Sequence, residues 1–436
     1  MTAEIAIMNQ KGIALAADSA VTVNTAKGEK IFLSANKLFT MSKYHPVGVM
    51  IYNNASFLGI DWEIIIKLYR KNLGEKSFNL LSEYADDFLR FLEHNEALFP
   101  EDQQLKYIND RILNIYTEIR DSAYGEIAHQ VKGVSDVTQS IISEIFSKII
   151  DANYSRVRQY NNITYFNGDK IEDEKINEIK EKHNDDIKTI KNKVFESIKL
   201  KSSDSRKLTI IGESTIVKNM NPKQFSGIVF AGYGKNEFFP SLISCRLEGL
   251  IDNILKCNFR DSAKIDFNNV ATIIPFAQTE MVHTFIEGID PEYQKMIYNN
   301  IFTTLNEYSE AILKKYFKDD QYHDKIKSAL ENINDGLMKK LINKLTDIRQ
   351  KQYVNSIIDI VVALPKSELA SMAESLVNLT SLKRKMSIDS ETVGGPIDVA
   401  LITKGDGFVW IKRKHYFKPE LNYQFFQNYF KEGINE

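Results

Sequence analysis

Thr2 and Asp18 are the residues near the start of the sequence whose types could do chemistry together. Between them lie two short apolar runs, residues 5–8 and 13–17, separated by residues 9–12, whose Asn and Gly are typical of a tight turn between paired strands. A β-hairpin made of these two runs brings Thr2 and Asp18 to the same end. The sequence therefore predicts a hydroxyl group and a carboxylate side by side.

Thr2 becomes the terminal residue if Met1 is removed, and a terminal threonine carries two reactive groups. Its hydroxyl is a nucleophile, and its α-amino group, with an ordinary pKa of about 8, can accept the proton. The amine must be neutral to do so. A nearby ammonium favours this by lowering the pKa of the amine, and a carboxylate can hold that ammonium in place. Lys30 and Asp18 are the candidates for these two roles, with Lys37 as the alternative lysine.

Each of these residues also has an ordinary interpretation. Thr2 could do no more than favour removal of the initiator methionine. Asp18 could bond its own backbone at the end of a strand, and Lys30 could be a surface lysine. The catalytic interpretation therefore depends on the three residues together.

The composition favours a globular, soluble protein of the reducing cytoplasm. The chain has 436 residues, of which 43% are apolar, enough for a substantial core. Lys and Arg number 56 against 58 Asp and Glu, a formal net charge of -2, so neither nucleic acid nor a membrane is expected as a partner. Cys245 and Cys257 cannot form a disulfide framework, and no Cys or His spacing is typical of a metal site. No signal segment opens the chain, and no apolar run is long enough to span a bilayer.

Proline spacing predicts two long helical regions. Residues 100–222 and 291–365 have no proline between their ends and are rich in Leu, Ile, Glu and Lys at helical spacing. Within the first region, apolar residues and His183 recur in steps of three and four from residue 176 to residue 198. This stripe predicts one long amphipathic helix that packs on another helix, within the chain or in a second subunit.

Short apolar runs on either side of these regions are predicted to be strands: residues 48–52, 208–211, 227–231, 242–245 and 272–276. Near the end, residues 396–402 and 407–417 flank an Asp-Gly turn and predict a second hairpin. A helix is predicted over residues 366–385, before that hairpin. The order indicates sheets between helical layers, with a helical insertion.

Three stretches near the start, MTAEIAIMNQKGIALAADSAVT, GEKIFLSANKLFTMS and VGVMIYNNASFLG, resemble the opening of proteasome β-subunits and their bacterial proteasome-like relatives. These proteins are N-terminal nucleophile (Ntn) hydrolases. The resemblance implies that Thr2 is the nucleophile, Asp18 its acidic partner and Lys30 the lysine beside the amine. The backbone N–H of Asn53 would bind the oxyanion, at a turn where the family has glycine. Asn tolerates the left-handed backbone better than most residues.

Near the end, ETVGGPIDVALITKGDGFVWI resembles the family's last strand pair, where a Gly-Gly follows a loop that touches the active site. Val393 stands at the position before Gly-Gly, where the family often has serine. Asp389, Ser390 and Thr392 are the nearby candidates for accessory roles.

The resemblance further implies an α+β fold, a four-layer αββα Ntn-hydrolase sandwich. From the order of the segments we expect this core over residues 1–80 and 206–436, with a helical insertion over residues 81–205. The implied function is threonine-type amide hydrolysis, with a peptide as the preferred substrate and no metal or cofactor. A small-molecule amidase or acylase on the same fold and a catalytically silent scaffold are the alternatives. The family's habits also imply a homo-oligomer and, by resemblance alone, an ATP-driven unfolding partner.

Overall fold

The structure of the chain is a computed structural model. It describes residues 3–25, 28–130, 138–220, 222, 224–317, 323–387 and 393–431. The chain divides into two compact units. Unit 1 comprises Met1–Leu38, Phe238–Pro240 and Lys264–Glu436, and unit 2 comprises Phe39–Glu237 and Ser241–Ala263. Helices are combined with antiparallel sheets, which confirms the predicted α+β class.

The strands of the described residues are β1 (Ala3–Asn9), β2 (Gly12–Ala17), β3 (Val21–Thr25), β4 (Gly28–Phe32), β5 (Leu38–Thr40), β6 (Val47–Asn53), β7 (Ser56–Phe57), β8 (Ile60–Asp61), β9 (Ser226–Gly232), β10 (Ser241–Ile251), β11 (Ile254–Lys264), β12 (Ala271–Ala277), β13 (Asp398–Thr403) and β14 (Gly407–Lys412). The helices are α1 (Trp62–Leu73), α2 (Leu81–Glu93), α3 (Glu101–Gln130), α4 (Gln139–Arg158), α5 (Asp173–Lys182), α6 (Asn184–Val194), α7 (Ser202–Val217), α8 (Glu280–Glu287), α9 (Pro291–Tyr316), α10 (His323–Arg349), α11 (Asn355–Ala363), α12 (Lys366–Lys385) and α13 (Tyr423–Lys431). Within the described part of the chain, no helix is both long enough and apolar enough to cross a membrane.

The larger sheet of unit 1 is built around the N-terminal hairpin. Its strand order is β12-β1-β2-β13-β14, and neighbouring strands are antiparallel. Successive side chains of a strand point to opposite faces. In β1, Ile5 and Ile7 contribute to the apolar core of unit 1, whereas Glu4 lies between such positions and pairs in register with Ala17 of β2. Both predicted hairpins and the predicted strand over residues 272–276 are confirmed.

Helix α12 packs on β1 and β2 through its apolar face. Leu369 and Leu376 are buried in the same core cluster as Ile5 and Ile7. Pro365 directly precedes the helix, a position at which the missing N–H of proline costs no hydrogen bond. The predicted helix over residues 366–385 is confirmed with both of its ends.

Unit 2 holds a second five-stranded sheet, in the order β11-β10-β9-β6-β5. A core cluster rich in aromatic side chains, including Trp62 and Phe88, packs α1 and α2 with these strands. Another cluster joins α3 to α7 and extends to Ile251 and Ile254 at the β10–β11 turn. The strands predicted within β6, β9 and β10 are confirmed. The insertion over residues 81–205 stays a prediction as a domain boundary.

The prediction of one long helix over residues 176–198 is wrong. The backbone leaves helical geometry at His183 (φ -96°, ψ 5°), where α5 ends and α6 begins. Asn184 and the two aspartates after it are residues that favour the first turn of a helix, so the sequence carries a restart signal here. The apolar stripe is nevertheless real, since Ile176 and Ile187 are both buried within the chain's own helical cluster.

The predicted strand over residues 208–211 is also wrong, because these residues lie inside α7. Leu208 and Ile211 are three positions apart and both face the helical cluster. A short apolar run fits a buried strand and a buried helix equally well by pattern alone, and here helix packing decides.

Gly212 allows α7 to approach α3 closely. A Cβ atom at this position would lie 2.4 Å from the Tyr116 hydroxyl oxygen and 2.8 Å from a methyl carbon of Ile187. The Tyr116 hydroxyl donates a hydrogen bond to the Leu208 carbonyl at 2.8 Å, so the two helices are held together at this point.

Gly212→Ala should lower the free energy of unfolding by about 1–3 kcal/mol, because the added methyl group overpacks this contact. Gly125→Ala in α3 is the matched control, since nothing lies within 4 Å of its added Cβ atom. That change should instead stabilise the chain by about 0.5–1 kcal/mol. Urea unfolding followed by circular dichroism measures both. Equal stability of the two variants would contradict the close approach.

Candidate functional site

Thr2, the predicted nucleophile, lies outside the described residues, as do Asp389, Ser390 and Thr392. The description begins at Ala3, whose nitrogen forms the peptide bond to Thr2. The contacts of Ala3 therefore define the candidate site.

Asp18 directly follows β2 and is 1% exposed. Its backbone N–H donates to the Ala3 carbonyl at 3.1 Å, which continues the ladder of the first hairpin. Its carboxylate accepts hydrogen bonds from the N–H groups of Ala3 at 3.1 Å, Gly394 at 2.9 Å and Ala20 at 3.3 Å. The two shorter bonds come from distant parts of the chain. Asp18 therefore does more than cap a local turn.

Lys37 supplies the charge that pairs with Asp18. Its Nζ atom lies 2.5 Å from Asp18 Oδ1 and 3.4 Å from Glu4 Oε1. The Lys37 side chain is 6% exposed and those of the two acids are 0% exposed. One ammonium thus faces two carboxylates in a site closed to solvent. Because a buried charge without its partner is very costly, the three side chains depend on one another.

Lys30 is placed differently from the prediction. It belongs to β4, pairs in register with Val23 of β3, and is exposed, with its Nζ atom 5.1 Å from the centre of the Phe32 ring. The structure brings Lys37 to Asp18, and not Lys30. The lysine that contacts Asp18 is therefore Lys37, the alternative predicted from the sequence. Lys30 is nearer to Asp18 in sequence, but it lies at the surface in the β3–β4 hairpin.

Glu4 was not predicted from the sequence. It stands in an otherwise apolar strand, AEIAIMN, and its side chain is fully buried. A carboxylate is rarely buried unless it is paired. A charged residue inside an apolar strand was therefore the signal that could have found it.

The Gly-Gly turn closes the site on its other side. The N–H of Ser19 donates to the Gly394 carbonyl at 3.1 Å, while the Gly394 N–H donates to the Asp18 carboxylate. Gly395 has a φ of 80°, and a Cβ atom there would lie 2.9 Å from a backbone oxygen. Glycine is the residue that takes this backbone without strain. The last strand pair is thereby joined to the end of the first hairpin.

Asn53 ends β6 in unit 2 and has a φ of 71°. This is the left-handed backbone that asparagine tolerates better than most residues. Its side-chain Nδ2 donates to the Phe225 carbonyl at 2.9 Å, which ties the turn to the residue before β9. Its assignment as the oxyanion donor stays a prediction.

The two cysteines lie on neighbouring strands of unit 2, Cys245 in β10 and Cys257 in β11. Cys245 is buried in β10, and its hydrogen bond with Cys257, together with burial, raises the pKa of its thiol. It is therefore held in the unreactive thiol form. Among the described residues, no group of three or more His, Cys, Asp or Glu is placed to hold a metal ion.

No protein-family model matches the sequence, and no curated protein matches it. Solved structures do match. The similarity is to Anbu. A Gly-1 mutant of Anbu from Hyphomicrobium sp. strain MC1 aligns at 8% identity and a TM-score of 0.28, over 100% of this chain and 95% of that chain. Anbu from Yersinia bercovieri, described as an ancestral β-subunit, aligns at 8% identity and a TM-score of 0.27, over 100% and 97% of the two chains. A further Anbu structure from Hyphomicrobium sp. strain MC1 aligns at 7% identity and a TM-score of 0.26, over 100% of this chain and 97% of that chain.

At TM-scores this low, the similarity to Anbu carries no argument about the fold or function of this chain. The chemistry of the site follows from the contacts of Asp18, Lys37 and Glu4.

Lys37→Met should lower the free energy of unfolding by about 3–5 kcal/mol, because it leaves two carboxylates buried without their ammonium. Lys30→Met is the matched control: it removes the same charge from an exposed strand position and should leave the unfolding midpoint unchanged. Urea unfolding near neutral pH measures both variants. If the two lysines proved interchangeable in this experiment, the buried ion pair would be disproved.

Proposed function

We propose that this chain is a threonine-type amide hydrolase in which Thr2, exposed by removal of Met1, is the nucleophile and Lys37 is the lysine that serves it. The observation that carries the proposal is the buried contact between Lys37 and Asp18. The same Asp18 carboxylate accepts the N–H of the peptide bond that joins Thr2 to Ala3. A fixed ammonium and the predicted nucleophile are therefore linked through one carboxylate.

This arrangement suits a terminal amine that must act as a base. An ammonium nearby lowers the pKa of that amine and so raises its neutral, proton-accepting fraction. Asp18 holds the ammonium in place, and Glu4 offers it a second carboxylate. The lysine role predicted for Lys30 passes to Lys37 in this proposal, because Lys37 has the buried contact.

The proposed reaction follows from these groups. The Thr2 hydroxyl oxygen attacks the amide carbonyl carbon while the Thr2 amine takes the hydroxyl proton. The C–N bond then breaks, and the leaving amine takes that proton from the ammonium, which leaves an ester on Thr2. Water attacks the ester with the same amine as base, releasing the acid and restoring the hydroxyl.

The finer parts of the proposal come from the resemblance of the sequence to Ntn hydrolases and not from contacts in the structure. They are a four-layer αββα core, a peptide as substrate ahead of a small amide, a homo-oligomeric assembly and an ATP-driven unfolding partner. Light scattering tests the assembly, and a fluorogenic peptide library compared with small acyl amides tests the substrate class.

Thr2→Ala should abolish hydrolysis, whereas Thr2→Ser should keep part of it, because serine retains both the hydroxyl and the terminal amine. A peptide epoxyketone should be closed into a ring by those two groups in the wild type and in Thr2→Ser. Mass spectrometry of the N-terminal peptide measures the adduct and shows whether Met1 is absent. Undiminished hydrolysis by Thr2→Ala, or by protein that retains Met1, would overturn this mechanism, whereas a wild type that hydrolyses no substrate would favour the catalytically silent scaffold.

The pH profile separates the two lysines. Lys37→Met should move the acidic limb of kcat/KM to higher pH, because the amine pKa rises once the neighbouring ammonium is gone. Lys30→Met should keep the wild-type profile. Rates are compared at a low temperature at which circular dichroism finds both variants folded. A shift in Lys30→Met without one in Lys37→Met would return the role to Lys30.

A further inference from the structure

Unit 2 contains two neighbouring cavities beside α3, and neither involves the candidate site in unit 1. The larger has a volume of about 920 Å³ and the smaller about 390 Å³. Arg111, Asn114 and Gln224 line both of them, so the two cavities share one wall. Volumes of this order are usual for sites that bind small organic molecules.

A buried charge cluster stands at this shared wall. Glu248 Oε2 lies 3.5 Å from Arg111 Nη2 and 3.4 Å from Lys256 Nζ, and Lys256 Nζ donates to the Thr215 carbonyl at 2.9 Å. The side chains of Glu248 and Lys256 are each 1% exposed. Arg111 and Lys256 share one carboxylate, so the cluster carries an excess positive charge when Lys256 is protonated.

The cluster is built into the packing of α3 on β10. Tyr107 and Arg111 are four residues apart, and Asn114 follows three residues later, so the three lie on one face of α3. Gly249 makes room for the Tyr107 ring, because a Cβ atom at position 249 would lie 2.5 Å from that ring. Burial raises the pKa of Tyr107, so its hydroxyl stays neutral beside the ions.

Two observations indicate that this wall is incomplete without a ligand. The excess positive charge is carried by two largely buried cations, since the Arg111 side chain is 18% exposed and that of Lys256 is 1% exposed, and removing charge from water is costly. In addition, Arg111 Nε and Glu248 Oε1 are buried and have no hydrogen-bond partner among the described residues. Glu248 and Arg111, the residues that carry these two atoms, both line the smaller cavity.

We propose that these cavities bind a small organic molecule through an oxyanion group, a phosphate or a carboxylate, held by Arg111. The planar guanidinium of arginine matches such groups in charge and in hydrogen-bond geometry. The side-chain amides of Asn114 and Gln224 supply further donors on the same wall. The carboxylates of Glu118 and Asp121 also line the larger cavity, and Asp121 is paired with Arg120 at 2.8 Å. The oxyanion therefore belongs at Arg111, which both cavities share.

The test is a calorimetric titration of the full chain with sodium sulfate, at constant ionic strength in chloride. Sulfate is the probe because it is tetrahedral like phosphate and does not titrate near neutral pH. Saturable binding with a dissociation constant on the order of 1 mM is expected. Arg111→Gln should weaken it at least about tenfold. Arg158→Gln, which removes the same charge from α4 outside both cavity walls, should bind as the wild type does.

A variant that is expected to bind sulfate more tightly distinguishes a specific loss of binding from misfolding. Glu248→Gln removes the anion that competes for Arg111, so sulfate should bind severalfold more tightly to it. General destabilisation would weaken binding instead. Saturable binding that is absent, unaffected by Arg111→Gln or weakened by Glu248→Gln would overturn the proposal.

The pH dependence gives an independent readout. The groups that face Lys256 are Glu248 of β10, Arg111 of α3 and the Thr215 carbonyl of α7. Burial lowers the pKa of Lys256 to about 8. Since an anion favours the protonated lysine, sulfate affinity should fall between about pH 7 and pH 9.

Two further arms complete the experiment. Lys256→Met should flatten the pH dependence, and a pH dependence that survives this change would count against the cluster. Acetate titrated in parallel separates the two ligand groups. Tighter sulfate binding assigns a phosphate-bearing ligand, and tighter acetate binding assigns a carboxylate-bearing one.

Discussion

The carboxylate of Asp18 is the group on which the rest of unit 1 depends. A buried carboxylate must be matched by donors and positive charge, or the fold that buries it is unstable. The donors here are the N–H groups of Ala3, Ala20 and Gly394 and the ammonium of Lys37. Together they tie Ala3 of β1, the end of β2 and the Gly-Gly turn to one another. A register slip of one residue would turn β1 over and remove Glu4 from this face.

Glu4 gives the candidate site a charge balance of its own. When all three side chains are charged, Lys37 is shared between two carboxylates and the described cluster has one negative charge in excess. Under the proposed function, a protonated Thr2 amine would balance that charge, and the neutral amine would not. Under the same proposal, Lys37 would lower the pKa of the Thr2 amine and Glu4 would raise it.

Local patterns predicted most of the elements of unit 1. The two hairpins follow from alternation and turn residues, and α12 follows from its apolar face and the preceding proline. Contacts between residues far apart in sequence could not be predicted in this way. Which of two lysines reaches Asp18 depends on a hairpin that carries Lys30 to the surface, and neither periodicity nor spacing encodes that path.

The same limit applies in unit 2. The stripe around His183 was correctly identified as apolar, but its break depends on capping residues that a periodicity count ignores. Arg111 and Glu248 lie 137 positions apart and occur in segments that look unremarkable by themselves. A buried ion cluster becomes visible when its members are brought together by the fold.

The bond between Gly394 and Asp18 joins residues 376 positions apart, and it has a consequence for synthesis. A polypeptide leaves the ribosome with its N-terminus first, so the first hairpin emerges long before the Gly-Gly turn, whose Gly394 N–H donates to the Asp18 carboxylate. Until that turn emerges, the carboxylate lacks one of its shortest backbone donors. The site therefore stays unfinished in a nascent chain until Gly394 has emerged, and translation past this residue is the condition under which the site can close. Any activity that needs the complete set of hydrogen bonds to Asp18 can therefore begin only after the Gly-Gly turn has been synthesised.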